Sequence, residues 1–305
     1  MVPVAPMNDP VDPLATLVPP PDPRADWDLP GLGTLPAIER LDELTTRVLA
    51  PNPSSMTLDG TNTYVLAAAG EAIVIDPGPT DATHARAVTD VLADLEATAT
   101  AVAVTHHHHD HSEAAAAWAR DFGARLYATT AKVAGTEGTL VGPGDRVEVG
   151  NIHVEAVATP GHCADHVAWR APTGALLSGD HVLGRGTSVV AHPDGDLEAY
   201  LDSLRTVLEL GPDALYPGHG PVLDKDPNAV VRYYLDHRAF REEQILALLA
   251  ARPRTSLGLV RRIYREVPKL LWPAAELSTR AALDKLEAEG RITRRGPKAH
   301  LVVED

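Results

Sequence analysis

The sequence predicts a layered α/β domain followed by a winged-helix-like module, and three observations lead there. From about residue 36 to 220, short apolar runs of strand length alternate with loops and helical stretches. After Pro227 the pattern changes to long helices that end in two short strands. Within the first region, several strand-like runs end in histidine or aspartate set beside glycine.

Taken in order, residues 1–35 are crowded with proline, including Pro19, Pro20, Pro21 and Pro23, and show no sustained periodicity. A disordered or polyproline-like leader is expected there. Strands are expected over 63–67, 72–75, 101–104, 152–158, 167–170, 175–177 and 214–216. Helices fit between them over 83–95, over 112–122 with Ser112 placed as a cap, and over 197–210. No repeat of fixed period is visible, so the main domain, 36–226, reads as layered rather than as a bundle or an all-β sandwich. Beyond it, 227–305 holds helices over 229–250, 257–266 and 274–289, the last followed by Gly290 as a C-cap signal. Strands over 291–293 and 299–303, joined through Arg294, Arg295, Gly296 and Pro297, form the wing.

Composition narrows the function. With 305 residues and 44% hydrophobic content the chain can bury one large core and a small appendage. No run approaches the ~18 to 20 apolar residues of a membrane span, and the start has neither a signal-peptide core nor a transit-peptide pattern. A cytoplasmic protein without a membrane partner is expected. Cys163 is the single cysteine, which excludes an internal disulfide and a thiolate zinc finger and leaves metal binding to His and carboxylates. Cys163 itself reads as packing. The net charge of −15 is unevenly spread: residues 1–237 carry 13 Lys+Arg against 33 Asp+Glu (13 − 33 = −20), and 238–305 carry 14 against 9 (14 − 9 = +5). The acidic body disfavours nonspecific nucleic-acid binding, whereas the basic tail can supply it locally.

The chemistry lies in four segments. Thr105-His106-His107-His108-His109-Asp110-His111 follows the 101–104 strand. Five imidazoles and a carboxylate at the end of a buried strand are costly unless they serve a site. Alternating side chains would send His106 and His108 to one side and His107 and His109 elsewhere, with Asp110 and His111 turning back, a geometry able to serve two metals. Thr159-Pro160-Gly161-His162, Ser178-Gly179-Asp180-His181 and Pro217-Gly218-His219-Gly220 each pair a strand with a glycine turn, and glycine permits close backbone approach. Nitrogen and oxygen donors without thiolate suit zinc, and also manganese or iron.

This pattern of His-x-His-x-Asp-His followed by separated His, Asp and His resembles the metallo-beta-lactamase superfamily. The resemblance implies an αββα sandwich with two metal ions at one edge, zinc above all. His106, His108 and His162 would hold the first; Asp110, His111 and His219 the second; Asp180 would bridge them together with a water. Asp76, in Ile75-Asp76-Pro77-Gly78, matches a position that supports the site without ligating metal. True beta-lactamases of this fold differ at the Asp180 position, so antibiotic hydrolysis is not expected. The chain further resembles the beta-lactamase-like protein 2 family of endoribonucleases, through Asn52-Pro53-Ser54-Ser55-Met56-Thr57-Leu58-Asp59-Gly60-Thr61-Asn62-Thr63-Tyr64, Arg185-Gly186-Thr187, Asp236-His237-Arg238 with Arg241-Glu242, and Lys298-Ala299-His300-Leu301. Acyl-carrier-protein thioesterases share the Gly-Thr-Asn-Thr opening and the ligands. Its long leader, and His107 and His109 between the ligands, depart from the family.

The implied mechanism is hydrolysis by a metal-bridging hydroxide, since two dications lower the pKa of a shared water toward ~7. Asp110 and Asp180 would act at the reacting centre, and His166 would touch substrate or support the site. Two +2 ions less Asp110, Asp180 and one hydroxide leave about +1, which draws an anionic group. The resemblance to the endoribonuclease family, with the net +5 tail, implies single-stranded RNA as the leading expected partner, with an anionic small-molecule or thioester substrate, of acyl-carrier or glyoxalase II type, as the alternative. A winged-helix regulator that only senses a ligand is the third reading, disfavoured by the complete ligand set. Helix 274–289 mixes Arg280 and Lys285 with Glu276, Asp284, Glu287 and Glu289, so sequence-specific DNA binding is not expected.

Overall fold

The computed structural model of the chain describes residues 12–302. One compact unit spans Asp22–Tyr234; the other holds the described residues from Leu235 onward together with those before Asp22.

In the larger unit a seven-stranded sheet runs in sequence order: β1 (Ile38–Arg40), β2 (Thr45–Leu49), β3 (Asn62–Ala68), β4 (Glu71–Ile75), β5 (Thr98–Ala103), β6 (Arg125–Ala128) and β7 (Thr139–Leu140). A five-stranded sheet follows, built from β8 (Arg146–Val149), β9 (Ile152–Ala158), β10 (Val167–Arg170), β11 (Ala175–Gly179) and β12 (Ala214–Pro217), in the order β12-β11-β10-β9-β8. Tyr64, Leu66, Ile73 and Ile75 of the first sheet meet Val154, Trp169, Leu177 and Tyr216 of the second in one buried cluster. The alternate residues Val65, Val74 and Val102 turn outward into a second cluster, under Val88 and Leu92 of α1 (Ala82–Asp94) and Trp118 of α3 (Ala115–Phe122). Because both faces of the sheet are covered, its strands read as continuous apolar runs rather than alternating ones. α5 (Leu197–Leu210) buries Leu197, Tyr200, Leu201, Leu204 and Val207, and Ser203 Oγ donates to Pro160 O at 2.7 Å. The expected αββα sandwich is present.

The direction of the strands creates the functional edge. β4 and β5 are parallel, as are β11 and β12. β9 and β11 both run antiparallel to β10 and hence run the same way as each other. The His-rich segment and the three glycine turns each lie at the C-terminal end of a strand, β5, β9, β11 and β12 in turn. The sheets are tied together there: Val167 N donates to Thr105 O (2.9 Å) and Trp169 Nε1 to Val104 O (3.2 Å).

Short elements escaped the sequence reading. β1, β2, β6, β7, β8, α2 (His109–Ser112) and α4 (Ala131–Ala134) were not expected. Ser112 closes α2 rather than capping α3, and its hydroxyl donates to His107 O at 3.0 Å. The leader needs correction as well. Arg24, only 5% exposed, donates to Leu183 O (3.0 Å) and Gly186 O (2.7 Å) and lies over the Tyr233 and Tyr234 rings, so residues from 22 onward are built into the larger unit. Residues 1–11 lie outside the described residues.

The second unit contains most of α6 (Pro227–Ala251), then α7 (Ser256–Ile263), α8 (Trp272–Ala288) and the antiparallel wing β13 (Ile292–Arg295) with β14 (Lys298–Leu301). The boundary thus falls inside α6 rather than at 226/227. Among the described residues, no helix is long and apolar enough to cross a membrane.

Candidate metal centre

The sandwich edge brings all seven expected ligands together. His106 Nε2 and His162 Nε2 lie 2.9 and 3.0 Å from His108 Nδ1. Asp110 Oδ2 is 3.2 Å from His219 Nε2 and 3.8 Å from His111 Nε2. Between these two sets stands Asp180, with Oδ2 3.6 Å from His162 Nε2 and Oδ1 3.4 Å from both His111 Nε2 and His219 Nε2.

The rings are aimed by their other nitrogens. Thr105 Oγ1 donates to Asp76 Oδ2 (2.8 Å), so it accepts from His106 Nδ1 (2.9 Å). His111 Nδ1 donates to Asp76 Oδ2 (2.8 Å), His162 Nδ1 to Val189 O (2.7 Å) and His219 Nδ1 to Gly60 O (3.1 Å). With the proton fixed on Nδ1, each of these four rings turns an Nε2 lone pair inward, which is how a metal-ligating imidazole is oriented. Asp76, at φ 52° in the left-handed region, follows β4 directly, and its carboxylate also accepts from Thr105 N at 2.7 Å. That turn is strained for a non-glycine residue and persists because three donors hold it.

Charge separates the two sets. Burial pushes His106, His108 and His162 below the ordinary imidazole range, and crowding by neighbouring imidazoles pushes the same way; for His108 the result is about 4. Burial opposes ionisation of Asp180, but His219 and His111 outweigh it and hold the carboxyl well below its usual range. Asp110 is likewise brought down to about 2, chiefly by His111 against the burial cost. His111 itself is raised, because Asp76 and Asp180 overcome its burial.

Whether these residues fit metal ions can be tested on the donors themselves. His111 Nε2 and Asp180 Oδ1 are buried and have no hydrogen-bond partner, an arrangement too costly to keep unless something else satisfies it. The proton-free lone pairs of His106, His108 and His162 match a cation, and the pull of Asp76 and Asp180 that raises His111 marks a place where a metal ion would stand in for its Nε2 proton. The glycine turns keep the space open: a Cβ on Gly218 would stand 2.6 Å from His111 Cε1 and 2.8 Å from Asp180 Oδ1. The groups fit divalent metal.

The sequence of the Asp59-Gly60-Thr61-Asn62 strand entry now has a reason. Asn62 Nδ2 donates to Pro217 O and Gly220 O, both at 2.8 Å, and Thr61 bridges to His219, so this segment pins the His219 turn. Over residues 56–219 the chain matches the model of the metallo-beta-lactamase superfamily, and over 255–298 that of the beta-lactamase-associated winged-helix domain. It belongs to the metallo-beta-lactamase superfamily. Among relatives, it is 35% identical to the beta-lactamase-like protein 2 homolog of Drosophila melanogaster, across 86% of this chain and 94% of that one. Over a shorter stretch, 72% of this chain and 63% of that one, it is also 35% identical to the thioesterase pkgB of Emericella nidulans. A crystal structure of a beta-lactamase domain protein from Burkholderia ambifaria shares the fold, with a TM-score of 0.75 at 24% identity over 92% of this chain and 96% of that one. Like other members of the superfamily, the chain is a hydrolase with His/Asp metal-binding groups.

Other expected residues fall differently. His166 does not face substrate. It is 2% exposed, its Nε2 accepts from Asp180 N (3.1 Å) and its Nδ1 donates to Thr159 Oγ1 (2.8 Å), so both nitrogens are spent and the ring fixes the backbone of Asp180. Only the spacing to Asp180 across two antiparallel strands could have signalled this. His107 turns away to Asp165 Oδ1 (2.7 Å) and His109 is exposed. Cys163 lies within reach of His106, His108 and His162. Its thiol nevertheless donates to Asp165 Oδ1 (3.2 Å) and is pushed well up by burial and by that carboxylate, so it packs rather than ligates. Thr105 and Thr63 stand in segments that the sequence singles out, but their roles in holding His106 and Asp76 carry no local signal.

Proposed function

We propose that the protein is a dinuclear hydrolase, with zinc, manganese or iron at its two sites, that cleaves phosphodiester bonds in single-stranded RNA. The observation that carries the dinuclear reading is Asp180, whose two oxygens face the two ligand sets separately. Bound there, divalent ions would acidify a shared water and neutralise charge developing on the scissile group. The chain's own contribution is to hold Asp180: His166 and Ser188, whose Oγ donates to Asp180 O, grip its backbone from either side. Burial of His106, His111 and His219 at 1% exposure or less excludes water from behind the ligands, while Asp110, more open, borders the substrate side.

RNA is favoured over small anions by the winged-helix unit. Both cations of α8 are neutralised within the unit, Arg280 by Glu276 and Lys285 by Glu242 and Glu289, and so is Arg294 of β13, by Asp284 and Glu287. The exposed Arg295 and Lys298 at the wing turn have no ion-pair partner among the described residues. Cations on a wing rather than on α8 suit a flexible strand's phosphates and not readout of a duplex groove. The test is cleavage of labelled single-stranded RNA by zinc- or manganese-loaded protein beside Asp180→Ala and His108→Ala. Cleavage lost in both variants is expected; no cleavage above the variants would sink the RNA reading. A second reading, thioester hydrolysis, draws on the likeness to thioesterase pkgB. Thiol release from acyl thioesters, dependent on the same two residues, would favour it.

A further inference from the structure

The second unit carries its charge unevenly. Residues 251–265 hold five arginines, Arg252, Arg254, Arg261, Arg262 and Arg265, and no aspartate or glutamate. Gly258 lies one turn before Arg262 in α7, and a Cβ placed on it would stand 3.8 Å from Arg254 Cβ, so Arg254 flanks the same helical face as Arg262. Burial, and then the charges of Arg252 and Arg262, pull Arg254 below the ordinary guanidinium range. Arg254 N donates to Ala299 O (3.2 Å) and Ala299 N to Arg254 O (2.8 Å), which joins this face to β14, the strand of Lys298. Arg252, Arg254 and Arg261 have no ion-pair partner among the described residues. Guanidinium groups gathered without an anion between them repel.

One anion already stands at the edge of this face. Asp12, in the same unit, turns Oδ1 to Arg262 Nη2 at 2.7 Å and Oδ2 to Arg265 Nη1 at 3.4 Å. Its own turn sets the carboxylate, because Oδ1 also accepts from Leu14 N at 3.2 Å. One oxygen for each arginine is how the two free oxygens of a phosphodiester would meet the pair, and forked guanidinium donors suit that geometry. All three groups are within reach of solvent: the side chains of Arg262, Arg265 and Asp12 are 39%, 60% and 32% exposed. Exposed ion pairs hold weakly, and Glu266 Oε1, 3.6 Å from Arg265 Nε, is a second loose partner. A strand with a phosphate at every nucleotide can engage Arg252 and Arg254 as well, which a single carboxylate cannot. We propose that Arg252, Arg254, Arg262 and Arg265 form a phosphate-binding face for a single RNA strand and that Asp12 covers it as an internal competitor, a proposal that rests on the RNA reading above.

Binding of a labelled oligouridine to the full chain, followed by fluorescence anisotropy with the strand checked for cutting, tests the face apart from catalysis. Asp12→Asn can keep the Leu14 turn while losing the charge, and should bind about two- to fivefold more tightly than the parent. Such a gain cannot come from misfolding. Arg262→Gln should bind more weakly and flatten the slope of log affinity against log salt by about 0.7. An Asp12→Asn chain that binds no tighter, or an Arg262→Gln chain with an unchanged slope, overturns the proposal. Polyglutamate bound as tightly as oligouridine also overturns it, and would make the partner an acidic protein segment. The two proposals fail separately. Tightening in Asp12→Asn with no cleavage by the metal-loaded parent removes RNA cleavage and keeps the face, whereas cleavage with binding indifferent to Asp12 and Arg262 removes the face and keeps RNA cleavage.

Discussion

The two halves of the metal centre solve the same problem with different materials. His106, His108 and His162 present three imidazole lone pairs, and burial with mutual crowding keeps all three rings free of extra protons. Asp110, His111 and His219 instead surround their point with a carboxylate held down to about 2 and an imidazole pulled upward by Asp76 and Asp180. On the dinuclear reading, one half would bind through neutral donors and the other through charge, and Asp180 turns one oxygen to each. The supports differ accordingly: a hydroxyl and a carbonyl for His106 and His162, a buried carboxylate for His111.

Removing the shared element should do the most damage. Asp180→Ala is expected to lower turnover by at least about 10² to 10³-fold and to reduce metal content at both halves; mass spectrometry of the intact protein that still counts two ions per chain would break the bridging argument. Single-half lesions come next. His108→Ala and His219→Ala should each leave about one ion per chain, and loss of both ions from either variant would show that the halves are one cooperative unit. Asp76→Asn should cost about 10 to 100-fold in metal affinity, falling on the His111 half. A loss of the same size at the His108 half would mean that Asp76 acts mainly through Thr105 and His106.

The same contrast explains what the sequence made legible. Ligands announce themselves because His-x-His-x-Asp-His and three glycine turns are chemically expensive residues at strand ends. The sandwich followed from long apolar strands such as 152–158 and 167–170, whose observed bounds agree with the expectation. What stayed hidden depends on contacts far apart in sequence. The Gly-Thr-Asn-Thr opening marks Asn62 and the His-rich segment marks Thr105, but nothing local gives their roles, since their partners, Asp76 and Pro217, arrive through the fold. His166 was expected to touch substrate or to support the site, and the register of β10 on β11 decides for support by turning it inward onto Asp180 N. Arg24 stands in a proline-rich stretch expected to be a disordered or polyproline-like leader, and the carbonyls of Leu183 and Gly186, some 160 residues away, make it structural.

The smallest effect concerns the strut behind Asp76, and it tests whether that half depends on an uncharged histidine. Thr63 Oγ1 donates to Asp76 O at 2.6 Å, so at its other contact it accepts, and His84 Nε2 must be the donor at 2.7 Å. His84 Nδ1 is then bare and buried with no hydrogen-bond partner, the ring lying 5.4 Å from that of Trp118. A second proton there would have no acceptor, and burial brings the group down to about 4 despite Asp81. In the unfolded chain the same imidazole titrates near ~6.5. As pH falls below that value the unfolded state takes up the proton first, so the stability His84 contributes is full above ~6.5 and is lost toward pH 4, by about 3 kcal/mol at most. Urea unfolding at pH 7 and 4.5 should show a decline about 2 to 3 kcal/mol shallower in His84→Gln than in the parent; the other buried histidines titrate in both proteins and cancel. Equal declines would mean that His84 accepts its proton in place, and the strut under Asp76 would then be indifferent to acid.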